Sequence, residues 1–470
     1  MKQDSGLILE SDSVCPVCHR ILQGQYRSRN GKVYYEKECD IHGRFSGICG
    51  AEADFCTWIE NKVINIPPSH VLKQGRKGHC PFNCGVCTEH LQTACCVLLE
   101  VTERCNQMCP YCFAGARKKG DDLPFDVIER KLDFLMNHGD EIPFNLQLSG
   151  GEPTVRDDLP EIIRSARRKG FKNIQINTNG KRLAEEAGYA ATLKEAGATV
   201  IYLQFDGVDD GVYERLRNEA LFRIKKTAIE QCRGAELPVT LVPMIVREVN
   251  LKQIGSIVEF ALDHLDVVKG IHFQPVSFFG RYPDVRGDTG SDYGNRVTMF
   301  DVMHGLEEQM EGSIKYSDFC PITTGHTLCC FYGLFQNVPG KGIQSLLNDR
   351  MKRSGVGCCG EIDPVEIIRK DRNFVYNKWK IPQKGGCCEK QTAASLINDD
   401  SAESDGAVDL DAFIEAYETN VFTISGMAFM DAYNLDTERL KRCRVQVLSK
   451  DDSLIPFCAY NSLYRGGKND

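Results

Sequence analysis

Twenty-three cysteines in 470 residues constrain this chain more than any other feature, and their placement matters more than their number. Thirteen lie at or before Cys112, nine lie between Cys320 and Cys458, and Cys232 alone falls between those groups. A secreted disulfide scaffold is short and pairs its cysteines; this chain is long, has an odd number and opens on no signal-peptide pattern. Reduced, metal-binding cysteines in a cytoplasmic protein are the expectation. With 57 basic and 65 acidic residues the net charge is −8, so no overall field draws nucleic acid or an anionic membrane surface. No run of about eighteen apolar residues offers a transmembrane segment.

The cysteine-poor middle reads as a scaffold. Apolar runs of strand length at Val97–Thr102, Phe144–Ser149, Asn173–Asn177, Val200–Phe205, Val239–Val246 and Gly270–Val276 alternate with amphipathic stretches. The latter are Phe125–Asn137, Leu159–Lys169, Leu183–Ala196, Tyr213–Cys232 and Leu251–Leu265. Strict alternation with short connections favours right-handed crossovers and an all-parallel α/β sheet, either curled as a barrel or open and doubly wound. Beyond about Asp284 the pattern turns irregular. Residues 391–411 are acidic and polar and read as a linker or mobile loop, and a compact ending runs from Phe413 to Tyr464.

Directly after the first of these strands, Cys105, Cys109 and Cys112 form a C-x3-C-x2-C loop. Three thiolates hold one face of a [4Fe–4S] cube and leave one iron open to a substrate or cofactor; a zinc knuckle, or a ferredoxin-like cluster with a distant fourth ligand, is the alternative. The second strand ends in Ser149-Gly150-Gly151-Glu152-Pro153, where paired glycines let backbone approach a ligand and a carboxylate suits an ammonium group. Polar residues recur at period two near the strand ends: Gln147 and Ser149; Gln175, Asn177 and Asn179; Gln204 and Asp206; His272 and Gln274. They are expected to line a polar lumen, because a filled barrel core carries Val, Ile or Leu there. Asn179 and Asp206, each before a glycine, also suit helix caps.

Both flanks carry further ligand sets. Cys15 and Cys18, then Cys39 and His42, make two knuckles with the spacing of a structural zinc ribbon, zinc being favoured over a mononuclear iron by the histidine. Val33-Tyr34-Tyr35 is expected as a strand between them. Cys80, Cys84 and Cys87 repeat the C-x3-C-x2-C spacing as a candidate auxiliary cluster, completed by His90 or by a C-terminal thiol, or else as another zinc site. Cys320, Cys329, Cys330, Cys443 and Cys458 are spaced too widely to assign, with Cys320, Cys329, Cys443 and Cys458 the candidate ligands of a further cluster. Four adjacent pairs, Cys95-Cys96, Cys329-Cys330, Cys358-Cys359 and Cys387-Cys388, are expected to give one ligand or packed thiol each. The last pair reads as exposed, either redox-active or inert.

The cysteine loop after the first strand and SGGEP after the second together resemble the radical S-adenosylmethionine (radical SAM) superfamily. That resemblance implies a partial (β/α)6 barrel, with Cys105, Cys109 and Cys112 holding a [4Fe–4S] cluster whose open iron takes S-adenosylmethionine and cleaves it to a 5′-deoxyadenosyl radical. It places Tyr111 near the adenine and Gly150, Gly151 and Glu152 at the methionyl amino group. Asn177 and Asp206 are the expected contacts to ribose or carboxylate. The longer pattern CPVC…KECDIHG, CPFNCGVCTEH, CNQMCPYCFA, YLQFDG, HFQPVSFFGR and MDAYNLDTERLKRC resembles the tetraether lipid synthases and class D radical SAM methyltransferases. The segment Leu216-Arg217-Asn218-Glu219 lacks the Arg-Gly usual after their fourth strand, and the doubled C-terminal cysteines are not part of the lipid-synthase pattern, which suggests a bacterial-type side branch.

The implied division is a zinc-ribbon or rubredoxin-like module at 1–58, a cysteine-rich connector at 59–96, the barrel at 97–284 and an auxiliary-cluster region at 285–470. The implied chemistry is coupling or methylation at an unactivated carbon of a lipid or small molecule, with a donor such as ferredoxin or flavodoxin. A peptide-modifying radical enzyme and a non-enzymatic iron–sulfur carrier are the alternatives. Arg117, Lys118 and Lys119 are open to a substrate phosphate or to solvent, and Phe278, Phe279 and Tyr282 to an apolar tunnel or to packing against the C-terminal region.

Overall fold

Alternating β-branched and aromatic residues with tight turns build the first unit, an antiparallel meander of β1 (Gly6–Val14), β2 (Ile21–Arg29), β3 (Lys32–Cys39) and β4 (Gly43–Ala51), followed by α1 (Glu52–Ile59). The expected Val33-Tyr34-Tyr35 strand lies inside β3. These coordinates come from a computed structural model that describes residues 6–61, 63–68, 79–85, 87–138, 144–283, 296–322, 325–347 and 420–465. Cys358, Cys359, Cys387, Cys388 and the polar stretch 391–411 lie outside the described residues.

The β/α alternation of the middle folds as read. β5 (Cys96–Thr102), β6 (Asn145–Gly150), β7 (Ile174–Thr178), β8 (Val200–Gln204), β9 (Val239–Val242) and β11 (Val268–Pro275) pair in parallel in that order. Between them run α2 (Phe125–Asn137), α3 (Leu159–Arg168), α4 (Lys181–Glu185), α5 (Tyr189–Ala196), α6 (Asp210–Arg217), α7 (Phe222–Gly234) and α8 (Ile254–Leu262). Three expected elements are broken, each at a residue that dictates the break. Pro243, with no N–H to give the ladder, separates β9 from β10 (Met244–Ile245). Gly188, at φ +81°, separates α4 from α5, and Asn218, at φ +60°, ends α6.

The sheet does not stop at six strands. After α9 (Met299–Gln309) come β12 (Cys320–Pro321), β13 (Cys330–Val338), β14 (Gly342–Ser345), β15 (Val421–Met427), β16 (Val445–Leu448) and β17 (Leu454–Pro456). The strand order is β12-β13-β15-β11-β9-β8-β7-β6-β5-β16-β17, with β15 parallel to β11 and β16 parallel to β5. C-terminal residues thus extend both edges of the six-strand scaffold, a role the irregular pattern beyond Asp284 hides.

Strand parity sorts the two faces. Leu146, Leu148, Ile174, Ile176, Ile201, Leu203, Leu241, Ile271, Phe273, Phe422 and Ile424 all join one apolar core under the helices. The alternate residues face the concave side. No described helix is long and apolar enough to cross a membrane.

Candidate active site and metal centres

The cluster loop begins where β5 ends, and residues from three other places in the chain hold it. Arg281, beyond β11, exchanges backbone hydrogen bonds with Cys112 at 2.8 and 2.9 Å, and its Nε donates to the Cys109 carbonyl at 2.7 Å. Gly280, at φ +54°, lets this segment close on the loop: a Cβ there would stand 2.6 Å from the Cys112 and Phe113 carbonyl oxygens. Asn179 donates to the Asn106 side chain at 2.7 Å, Asn218 to the Met108 carbonyl at 3.2 Å, and Arg217 to the Tyr111 carbonyl at 3.1 Å. Neither Arg217 nor Arg281 belonged to the expected site. Their signal in the sequence, an arginine at a helix end and one after Phe-Phe-Gly, is too common to single out.

Burial pushes the Cys105 thiol up to about 12, helped by the Glu152 charge, and raises Cys109 against the opposing Arg217. Bare thiolates are therefore costly in this loop, and a multiply charged iron centre is the partner that makes them affordable. Three such thiols from one loop, with no fourth from the same loop, fit one face of a [4Fe–4S] cube.

The paired glycines are needed for a different neighbour than expected. A Cβ on Gly150 would lie 2.2 Å from the Thr102 carbonyl oxygen and one on Gly151 2.1 Å from that of Arg104. The glycines let the end of β6 close against the start of the cluster loop, where Gly151 and Glu152 N–H groups donate to those same carbonyls at 2.8 Å. The buried Glu152 carboxylate accepts from Thr154 N, Thr154 Oγ1, Thr178 Oγ1 and Asn179 N at 2.7–3.1 Å. Oε2 takes only the Asn179 N–H and keeps a lone pair.

Asp206 corrects its expected role. It is fully buried, both oxygens are held by Arg217 at 2.7 and 2.8 Å, and Oδ1 also accepts from Met244 N. Its carboxylate orients the loop-clamping arginine instead of facing ribose. Behind this pair, Lys225 is buried and donates to Asn179 O at 2.6 Å; desolvation lowers it to about 8. Tyr111 packs against Val212, Leu216, Met244 and Val276.

The concave face is polar along its length. Gln147 donates to Asn177, Asn177 to Ser149, and the Cys96 thiol to Gln147. His272 Nδ1 lies 3.0 Å from Ser425 Oγ across β11 and β15, and the Tyr202 ring is 5.9 Å from that of His272. Thr240 and Thr423 flank Gly270 on one rung of the sheet, and both hydroxyls are buried without a hydrogen-bond partner. Phe279 packs instead with Leu98, Val447 and Phe457, and Phe278 against Tyr433, so the aromatics after β11 secure the C-terminal region. Arg117, Lys118 and Lys119 are exposed.

In the ribbon, Cys15, Cys18, Cys39 and His42 present ligand atoms that all lie within 4.8 Å of one another. His42 Nδ1 is 3.5 Å from both Cys15 and Cys39 sulfurs. The Ile41 N–H, then the His42 ring, draw the Cys39 thiol down to about 6, the state a metal ligand requires.

Between ribbon and barrel, Cys80 and Cys84 are buried in one apolar cluster with Cys458, and Cys84 hydrogen-bonds Cys80. His90 does not turn to them; its Nε2 lies 3.0 Å from the Cys443 carbonyl. Cys329 and Cys95 act electrostatically on Cys443, and Cys443 and Cys329 on Cys458. Cys320 sits elsewhere, on β12, with its thiol 3.7 Å from the Tyr332 carbonyl oxygen. Cys443 thus lies within electrostatic reach of Cys95, Cys329 and Cys458. Cys96 and Cys330, the second members of their pairs, lie in strands; Cys96 turns to the lumen, as strand alternation requires.

Residues 99–261 match the radical SAM superfamily, and residues 7–49 match the HMPTM N-terminal zinc ribbon domain. The 7,8-dihydro-6-hydroxymethylpterin dimethyltransferase of Methanocaldococcus jannaschii is 33% identical over 96% of this chain and 93% of that protein. The chain belongs to the radical SAM superfamily. Within it, this radical SAM enzyme is also 33% identical to a "Probable GTP 3′,8-cyclase" of Methanothermobacter thermautotrophicus, over 34% of the chain and 52% of that protein. Among solved structures, Streptococcus suis SuiB bound to S-adenosylmethionine aligns with 47% of the chain and 48% of SuiB, at 16% identity and a TM-score of 0.37. Membership in the superfamily implies a [4Fe–4S] cluster and S-adenosylmethionine, and the ribbon suggests zinc.

Proposed function

We propose that this radical SAM enzyme acts on a polar, hydrogen-bonding small molecule of the dihydropterin type, by methylation, and not on a lipid chain. The observation that carries this is the rung Thr240, Gly270, Thr423: two buried hydroxyls without partners, flanking a position with no side chain. An isoprenoid laid there would leave each hydroxyl unpaired, at about 1–3 kcal/mol apiece. A planar, amide-bearing ring satisfies both, and Gln147, Asn177 and His272 offer further partners on the same face. The relative that spans nearly the whole chain carries a dihydropterin in its name, which agrees with a polar acceptor.

Cys105, Cys109 and Cys112 would hold the cluster, with Tyr111, Asn177 and the Gly150–Glu152 segment around S-adenosylmethionine. Once bound, these groups supply a 5′-deoxyadenosyl radical. The protein's own part is positional. Arg217 and Arg281 fix the loop carbonyls, Asp206 aims Arg217, and the wall built by β11 and β15 orients the acceptor. Cys80, Cys84 and Cys87, and the group Cys95, Cys329, Cys443 and Cys458, are the candidate ligands of auxiliary clusters; Cys15, Cys18, Cys39 and His42 are those of zinc.

The test is anaerobic reconstitution, reduction, and incubation with S-adenosylmethionine plus either 6-hydroxymethyl-7,8-dihydropterin or an isoprenoid diether lipid. Methylated pterin together with stimulated 5′-deoxyadenosine formation is expected. Stimulation by the lipid alone overturns the reading. A double Thr240→Val, Thr423→Val variant is expected to raise the KM for the pterin about tenfold or more, at about 1.4 kcal/mol per tenfold, while unstimulated deoxyadenosine formation persists.

A further inference from the structure

We infer that Gln107, midway between Cys105 and Cys109, gives an N–H hydrogen bond to the Cys109 sulfur once that sulfur is a cluster ligand, and that this bond raises the cluster's reduction potential. The inference rests on the loop holding a [4Fe–4S] cluster and stands whatever the acceptor is.

The three sulfurs of the loop are not served alike. Cys105 and Cys112 are half-buried, within reach of water, and the Cys105 sulfur also accepts the Gln107 backbone N–H at 3.4 Å. Cys109 is only 7% exposed, so its partners must come from the protein. Two side chains reach its sulfur. Arg217 hydrogen-bonds it, and Gln107 Oε1 lies 3.8 Å away, accepting from the thiol.

The Gln107 bond exists in that sense only while Cys109 keeps its proton. A ligating cysteine is a thiolate, which has no proton to give, so Oε1 against Sγ becomes acceptor against acceptor. The same side chain holds the donor that is needed. Gln107 is 2% exposed, and its Nε2 is buried without a hydrogen-bond partner. The last torsion of a glutamine is broad and roughly two-fold, and half a turn about it exchanges Oε1 and Nε2. That turn converts a buried orphan donor, rare in folded proteins, into a charge-assisted bond to a thiolate. It leaves a carbonyl oxygen where the N–H group stood, a deficit that folded proteins tolerate more readily.

Reduction adds one negative charge to the cluster, and N–H bonds to its sulfurs stabilise that charge, most strongly where water is excluded. Arg217 is balanced by Asp206, which holds it at 2.7 and 2.8 Å. Gln107 brings a dipole with no counter-charge to offset it.

The test is a redox titration of the reconstituted full chain followed by electron paramagnetic resonance, reading the signal that changes when S-adenosylmethionine is added. Gln107→Met keeps the length of the side chain and removes its N–H. At a fixed applied potential its ratio of reduced to oxidised cluster is expected to fall about tenfold, a downward shift of about 59 mV for a one-electron couple. Gln107→Glu at alkaline pH keeps the shape and offers only acceptors, and should fall at least as far. Iron content shows which variants assemble the cluster, and if the methionine variant does not, the glutamate variant decides. A potential unchanged or raised in an assembled variant overturns the inference. Loss of iron in both variants overturns it too, by making Gln107 a structural part of the loop. A wild-type chain without a signal that responds to S-adenosylmethionine refutes the cluster assignment and this inference together, whereas failure to methylate a pterin touches neither.

Discussion

The ribbon and the cluster loop both concentrate cysteines, yet they are built on opposite plans. In the ribbon every ligand comes from two turns of one meander, and the four ligand atoms meet within 4.8 Å. Local hairpins alone bring them together, so the geometry follows from short loops whose closure costs little entropy. The cluster loop supplies three cysteines and borrows its shape from Asn179, Arg217, Asn218 and Arg281, up to 172 residues away. A closed, self-contained set suits a structural ion, while an incomplete set clamped from outside suits a centre whose fourth position is kept for chemistry.

The sharpest break between the two is Cys109→Ala. It should abolish 5′-deoxyadenosine formation while the ribbon keeps its full zinc content, measured by chromatography and metal analysis on one sample. Zinc loss in that variant would show the two centres to be coupled, and unchanged cofactor cleavage would remove the cluster assignment altogether.

A second, smaller effect concerns the long-range half. His90 sits 353 residues from the Cys443 carbonyl it faces, and burial lowers it to about 4 from an ordinary 6.5. The unfolded chain therefore binds a proton between those values that the native chain refuses, so stability falls as pH drops through 6.5 toward 4, by about 3 kcal/mol in all. Denaturation of wild type and His90→Gln at several pH values should show the wild-type advantage shrinking across that window. A difference independent of pH would mean that His90 is not held neutral.

How much of this was legible in advance follows the same division. The convergence of Cys15, Cys18, Cys39 and His42, the cysteine loop after β5 and six parallel strands could be read because each is written in local spacing or in apolar runs of strand length. The two strands that extend the scaffold could not. β16 has four residues and β15 follows a long polar stretch, so their partners, β5 and β11, are what make them strands. Asp206 was seen as polar and lumen-directed by period, but its partner Arg217 lies eleven residues on, at the end of a helix whose length no pattern fixed. The missed residues are those whose meaning depends on what folds against them.

Asn218 tests this dependence at its finest. The residue ends α6 in the left-handed region, at φ 60° and ψ 23°, which glycine adopts freely and asparagine tolerates. Asparagine adds a bond glycine lacks, from Nδ2 to the Met108 carbonyl inside the cluster loop. In Asn218→Gly the lost, exposed hydrogen bond and the relieved backbone cost are each of order 1 kcal/mol and opposed, so stability should move by less than about 0.5 kcal/mol. Asn218→Val loses the bond and keeps the unfavourable backbone, with a branched side chain that resists it, and should cost about 2 kcal/mol. Denaturation midpoints measure both, and iron content shows whether the loop notices. If valine is as harmless as glycine, the clamp ends at the two arginines; if glycine alone costs iron, the hydrogen bond to Met108 belongs to the cluster site.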